Sequence, residues 1–425
     1  LQADPQMRRR FYESGLAYLE VAHTAAPSLR DLELRPEIRS ELLELESWGR
    51  LQAGSSFLRA GYFELADPEL AAVQKHGPPA YQREAALLRA EAARVRRNWG
   101  QAIRRYREFQ ALLRAAEDEL GLGEELLRLP LDFVDELRVS APPEFLETGL
   151  SDGHAFYAWV QASWPGTPLA KRAAFLQHRL DLVAERWEEA RAGIERYASG
   201  ELDEVDRWNA RFDLAEILGP GMGRTEEAEA IYREVGEGAP DPGLQGLAWL
   251  RRGELLLADG RVEEGMLALE RVEEEYRLDE GLASASMLTR ALQFEADGDW
   301  SSAQQLYRRL VVRHPDTPAG VAAPLRMIEL QRSRGDERAV RGALLGAETQ
   351  YRRLVAGHSL DGPIGLQARR SLIQCLLWME KPEDALAELE QLHHILGRSP
   401  GGAEALLQAA RVSAEELGDI ELSRR

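Results

Sequence analysis

The strongest constraint on this chain is a short pattern that returns along most of its length. A turn residue, often Gly followed by Asp or Arg, precedes an Ala by five positions. An aromatic residue or Leu follows four positions after the Ala, and an aliphatic residue three after that. The clearest copy is Gly298-Asp299, Ala303, Tyr307 and Leu310, with Pro315 behind it. Gly223-Arg224, Ala228, Tyr232, Val235 and Pro240 make a second copy, and Gly61-Tyr62, Ala66, Leu70, Val73 and Pro78 a third. Weaker copies centre on Ala102, Ala190, Gly265, Val340 and Ala385. From Ala66 to Ala385 the spacings are 36, 88, 38, 37, 38, 37 and 45 residues. The gap of 88 is wide enough to hold an irregular extra unit.

The spacing has a direct physical reading. Each unit predicts two antiparallel helices joined by a tight turn. Gly at the turn tolerates the left-handed conformation that ends a helix. The Ala sits where the two helices cross, since a larger side chain would push them apart. Residues four and seven positions later share a face of the second helix and fill the groove against the first helix and the next unit. Proline near the end stops the second helix. Such units cannot bury their apolar faces alone, so they stack.

Composition agrees. Ala, Leu, Glu, Arg and Lys make up more than half of the 425 residues, which argues against sandwiches, barrels and alternating βα folds. The net charge of −19 repels phosphates and argues against nucleic acid as a partner. The single cysteine, Cys375, can form no intrachain disulfide and no multi-cysteine zinc site. It reads as a small buried hydrophobe. The longest stretch free of Asp, Glu, Lys and Arg, residues 153–170, contains Pro165 and Pro168 and does not suit a membrane span.

The pattern resembles the tetratricopeptide repeat, whose unit is ~34 residues. Trp249 and Gly253, ahead of Gly265, match the Trp and Gly that mark the first helix in that family. The units here are a few residues longer. In that stretched form, Tyr307–Pro318 is similar to the repeats of bacterial envelope proteins, among them the outer-membrane assembly lipoproteins and the cell-division coordinator of the Tol–Pal system. The resemblance covers about 51–110 and 171–425. It implies an all-α fold, a right-handed α-solenoid of about eight to ten helix pairs. It also implies a non-catalytic scaffold for a protein or peptide partner, set in the periplasm of a Gram-negative bacterium. A chain that starts at Leu1 is consistent with an exported mature protein. Family members that clamp the C-terminal carboxylates of chaperones use paired Asn beside Lys or Arg. This sequence has only Asn98 and Asn209, which disfavours such a clamp.

The organisation expected is N-terminal helices over 1–50, a repeat pair over 51–110, an irregular segment over 111–170, and a second array with a capping helix over 171–425. In the irregular segment, helix is expected over 126–139 and loop at Pro142-Pro143 and 149–153. His154, Phe156, Tyr157, Trp159 and Trp164 follow. These aromatics either fill the core of a degenerate repeat or form an exposed anchor for a partner. Arg370, Gln374 and Trp378, at steps of four, make a second candidate partner surface. The stretch 357–365, with Pro363, is expected as an enlarged loop that accounts for the 45-residue spacing.

Tests for chemistry find no enzyme motif. Gly219–Gly223 has three residues between its outer glycines, and Arg224 stands where a phosphate-binding loop needs Lys. A helix-to-helix turn suits it better. None of the eight histidines forms a metal-ligand motif. His393 and His394 point ~100° apart on a helix, and Glu390 with His394 supplies at most two ligands. No cofactor is implied. Two alternatives stand beside the scaffold: an accessory module that binds a glycan or peptide at the aromatic segment, and a cytoplasmic regulator.

Overall fold

The computed structural model describes residues 5–27, 29, 35–96, 98–115, 124–200, 202–358, 362–396 and 400–415. Every regular element among them is helical. The chain forms two compact units, Leu1–Ala184 with His393–Glu404, and Glu185–Leu392 with Ala405–Arg425.

The first unit contains α1 (Pro5–Ala25), α2 (Pro36–Arg59), α3 (Phe63–His76), α4 (Pro79–Val95), α5 (Trp99–Ala115), α6 (Glu124–Ser140), α7 (Pro143–Ser163) and α8 (Pro168–Val183). Here α2/α3, α4/α5 and α6/α7 are helix pairs, and the first helices of successive pairs also touch, α2 with α4 and α6 with α8. Helix α2 runs unbroken through residue 50, so no boundary falls there. The segment expected to be irregular is a helix pair instead. Helix α7 passes straight through Gly149 and Gly153, where a loop was expected. The glycines serve close packing: a Cβ on Gly149 would meet Leu137 Cδ1 at 2.4 Å, and one on Gly153 would meet Leu180 Cδ1 at 2.9 Å.

The second unit contains α9 (Trp187–Ala198), α10 (Glu204–Glu216), α11 (Thr225–Gly238), α12 (Pro242–Ala258), α13 (Val262–Glu275), α14 (Glu280–Ala296), α15 (Trp300–Arg313), α16 (Pro318–Ser333), α17 (Glu337–Gly357), α18 (Pro363–Trp378) and α19 (Pro382–Leu396), the last up to Leu392. The final helix, α20 (Pro400–Glu415), is divided between the two units. Each helix from α10 to α18 packs on its successor or predecessor, and the first helices again line up, α12 on α14, α14 on α16 and α16 on α18.

The repeat signature maps onto this packing. Ala66, Ala102, Ala228 and Ala303 are fully buried on the second helices of packed pairs, and Ala190 on α9 and Ala385 on α19 are fully buried as well. Gly265 and Gly253 replace side chains at the α12/α13 crossing, where a Cβ on Gly265 would stand 3.0 Å from the Gly253 carbonyl oxygen. The turns before α3, α11, α13, α15 and α17 hold Gly61, Gly223, Gly260, Gly298 and Gly335 at positive φ, between 67° and 81°. Before α9 and α19 the same conformation is taken by Glu185 and Glu380, at a steric cost that glycine avoids. Asp299 and Asp336 then cap α15 and α17 by accepting the Ser302 and Ala339 amides.

The extra unit inside the 88-residue gap is α6/α7, with Gly153, Tyr157 and Val160 in the places of Ala, aromatic and aliphatic. The wide spacing near the end has a different cause from the expected loop. Helix α17 is 21 residues long, and its core register is Ala347, Tyr351 and Leu354; Val340 is only partly buried. Of the expected loop, residues 359–361 lie outside the described residues. Gly357 belongs to α17 and residues 363–365 to α18.

Candidate functional site

The aromatic candidates divide by burial. Phe156 and Tyr157 are 2% and 0% exposed, so they are core residues and present nothing to a partner. Tyr157 is fixed further by donating its hydroxyl to the Leu127 carbonyl at 2.6 Å. The reason lies in register: Tyr157 occupies the aromatic position of the α6/α7 pair. Trp159 and Trp164 are half-buried and meet edge to face at 5.3 Å, with the Arg114 guanidinium 5.5 Å from the Trp159 ring. His154, beside them on α7, pairs with buried Asp181 at 3.0 Å.

In the second unit Arg370, Gln374 and Trp378 lie at steps of four along α18. Arg370 is exposed, Gln374 half-buried, and Trp378 half-buried under the Arg332 guanidinium at 5.0 Å. Trp378 also packs against the α16–α19 core. The run Gly219–Gly223 closes α10 with a π-helical turn, Ile217–Gly221, and enters α11. Among the described residues no group of three His, Cys, Asp or Glu side chains is placed to hold a metal ion. The His394 side chain lies outside the described residues. No described helix is long and apolar enough to cross a membrane.

A feature that sequence reasoning missed repeats on the side formed by the first helices. Three buried tyrosines of the signature, Tyr106, Tyr232 and Tyr307, stand beside carboxylates there. Tyr106 donates to Glu91 of α4, and Arg94 joins Glu91 to Glu136 of α6. Tyr232 donates to Glu216 of α10, and Arg251 of α12 lies 3.5 Å from Glu216 and 2.8 Å from Glu254. Tyr307 faces Glu295 of α14, Arg326 and Glu329 of α16. Burial, with the adjacent glutamate next, holds the Tyr106, Tyr232 and Tyr307 phenols well above their usual value. Each cluster thus places a neutral phenol and an arginine beside carboxylates of neighbouring first helices. The signal existed in the sequence: Arg251 and Glu254, like Arg326 and Glu329, stand three apart. Pairing them with Glu216 and Glu295 needs the stacking.

Residues 285–317, which span most of α14 and all of α15, match the family model described as tetratricopeptide repeat. No curated protein matches the chain. Among solved structures it is similar to the apo form of the quorum sensor NprR from B. thuringiensis, at 13% identity over 79% of this chain and 96% of that one, with a TM-score of 0.38. It is also similar to yeast Tom70, at 10% identity over 95% and 96%, TM-score 0.39. A third is the APC/C hetero-tetramer Cut9–Hcn1, at 12% identity over 96% and 99%, TM-score 0.33. Among the described residues the chain is all-α, with helix pairs stacked within each unit, and one segment matches the tetratricopeptide-repeat model.

Proposed function

We propose that this chain is a non-catalytic scaffold that holds a protein or peptide on the side formed by the first helices of its pairs. One observation carries the reading. Helices α10, α12, α14 and α16 share a side on which charged and apolar residues stand partly open, with Arg251, Glu254, Leu292, Glu295, Arg326 and Glu329 all at least half-exposed or intermediate. Stacked repeats make extended binding surfaces of this kind because each unit repeats the last. We further place the protein in a bacterial envelope, as one subunit of a larger assembly. The support is the likeness of Tyr307–Pro318 to the long repeats of envelope proteins.

The test is purification of the tagged full-length protein from its source, with mass spectrometry of its stoichiometric partners and of its N-terminus. Envelope partners and a processed terminus are the expected result. Cytoplasmic partners with an unprocessed terminus overturn the envelope setting and favour a cytoplasmic regulator. Recovery without any protein partner overturns the scaffold.

A further inference from the structure

Three guanidinium–ring contacts gather around one turn of the first unit, residues 59–63 between α2 and α3. Arg8 of α1 lies 5.9 Å from the Tyr62 ring, Arg59 lies 5.7 Å from the Phe11 ring, and Arg96 at the end of α4 lies 5.6 Å from the Phe63 ring. Tyr12 joins them, 5.0 Å from the Tyr62 ring. The patch is open to solvent. Tyr62 is 44% exposed, Arg59 is exposed, and Arg8, Phe11 and Tyr12 are half-buried.

These cations are held in place without being neutralised. Arg8 Nε donates to the Ala60 carbonyl at 3.0 Å, which fixes the side chain and leaves both Nη groups without a partner among the described residues. Arg59 makes no ion pair or side-chain hydrogen bond among them. Arg96 has only Glu64, at 3.8 Å, and that carboxylate side chain is 86% exposed. Other arginines are matched to carboxylates: Arg50 spans Glu46 and Glu69, and Arg290 spans Glu270 and Glu273. In a chain of net charge −19, two unpaired guanidiniums around one turn are a local surplus of positive charge. The first turn of α1 contains no acidic residue, and the positive end of its dipole adds to that surplus.

We propose that this turn holds an acidic segment of a partner protein, with carboxylates on Arg8 and Arg59 and an adjacent apolar side chain on the open faces of Tyr62 and Phe11. The inference goes beyond the scaffold reading, because it assigns a surface of the first unit and the chemistry of what binds there. A guanidinium stacked on a ring keeps its N–H edge free, and that edge matches a carboxylate in a planar fork. Ring contact already restricts these long side chains, so less rotamer freedom is lost on binding. Range favours a peptide over nucleic acid or an anionic membrane. Charges more than ~8 Å apart are largely screened at physiological salt, so a short acidic segment senses the local surplus. An extended polyanion would also meet the acidic remainder of the chain.

The probe is a dye-labelled 12-residue peptide of alternating Glu and Leu, with a twin in which Gln replaces every Glu. Binding to the full chain is read by anisotropy at near-physiological salt. The acidic peptide is expected to bind and the neutral twin not to. Arg8→Gln and Arg59→Gln are each expected to weaken binding about tenfold, the scale of one charge-assisted hydrogen bond. Arg59 has no side-chain hydrogen bond to lose, so Arg59→Gln is expected to melt like the parent even where Arg8→Gln does not. Arg308→Gln, at an exposed site on α15, removes the same charge and is expected to leave binding unchanged. Equal binding of both peptides, or equal affinity in the Arg59→Gln and Arg308→Gln variants, overturns the proposal. So does tighter binding to phosphatidylserine vesicles or to a 12-nucleotide DNA strand that Arg59→Gln abolishes, since the turn would then be a phosphate site. Protein partners that co-purify unchanged with an Arg8→Gln/Arg59→Gln double variant overturn the acidic-segment site and leave the scaffold standing.

Discussion

Removing one oxygen atom from each signature tyrosine should produce opposite effects in neighbouring repeats. Tyr232 and Tyr307 occupy equivalent positions, four residues after Ala228 and Ala303, and both are 0% exposed. The Phe substitution therefore changes packing little at either site. At Tyr232 it deletes a hydrogen bond to a carboxylate, a class worth about 1.5–3 kcal/mol. The Glu216 side chain keeps 23% of its exposure, so water recovers part of the loss and the low end, about 1.5 kcal/mol, is expected. At Tyr307 it deletes a buried hydroxyl whose neighbouring acceptor, Glu295, stands outside good hydrogen-bond geometry. That removes a desolvation penalty, so Tyr307→Phe should be neutral or stabilising by up to about 1 kcal/mol. Global melting is a poor readout for a chain of two units, whose unfolding need not be all-or-none. Native-state hydrogen exchange resolves the repeats. Tyr232→Phe should lower protection in α10–α12 about tenfold, since ~1.4 kcal/mol is one decade. Tyr307→Phe should leave α14–α16 unchanged or better protected. A comparable loss of protection in α14–α16 would refute the reasoning, because it would mean that the Tyr307 hydroxyl is already satisfied.

Three further outcomes follow from the same structure. Glu380 holds a φ of 56° in a turn where other repeats use glycine, so Glu380→Gly should raise the local stability around this turn by about 1 kcal/mol, measured by native-state hydrogen exchange. Cys375 is fully buried, donates to the Leu344 carbonyl at 3.4 Å, and has its thiol pushed up to about 11, chiefly by burial; maleimide at neutral pH should label it only after unfolding. Tyr106, Tyr232, Tyr307 and Tyr351 all hold their protons above the usual value, with burial the first cause. Unfolded phenols ionise near pH ~10 while these do not, so this contribution is complete below ~10 and is lost as pH rises beyond it. Circular dichroism should show stability falling from pH ~10 upward, and the fall should be smaller in a Tyr106→Phe/Tyr351→Phe double variant.

Much of the fold was legible because the repeat encodes contacts that are local in sequence. The Gly turn, the Ala at the crossing and the Tyr four residues on all act within one helix pair, and the three clearest copies lie where the spacing put them. The 88-residue gap left room for the α6/α7 pair, but its register was not legible because Gly153 stands in the place of Ala, and glycines at 149 and 153 read as loop by propensity. Tertiary packing overrode that propensity: Leu137 and Leu180 occupy the space a side chain would need. The partner candidates fared differently because exposure depends on what the next repeat covers. Tyr157 and Trp159 are two residues apart, yet one is sealed and the other half-open. The carboxylate clusters were harder still. Glu216 and Arg251 are 35 positions apart and meet only through the stacking of α10 on its neighbours, which no local pattern reports.

The register of α17 shows where periodicity alone runs out. Val340, Leu344 and Ala347 satisfy the signature in sequence, and so do Ala347, Tyr351 and Leu354. The two settings differ by seven residues, which is two helical turns, so both triplets fall on one face of the same helix. Hydrophobic pattern cannot separate them. Packing can: Tyr351 is 0% exposed and donates to the Val321 carbonyl at 2.9 Å. Its partner on α6/α7 is the Tyr157 bond to Leu127, at the same separation of 30 residues. The added length therefore sits at the N-terminal end of α17, as two turns beyond the repeated crossing, with Leu345 left 58% exposed there. An insertion of two whole turns keeps the core face in phase, whereas one of five residues would have rotated Tyr351 by about 140° away from α16. Lengthening a helix by seven is thus one of the few insertions that a stacked-repeat chain accepts without breaking the contacts on either side.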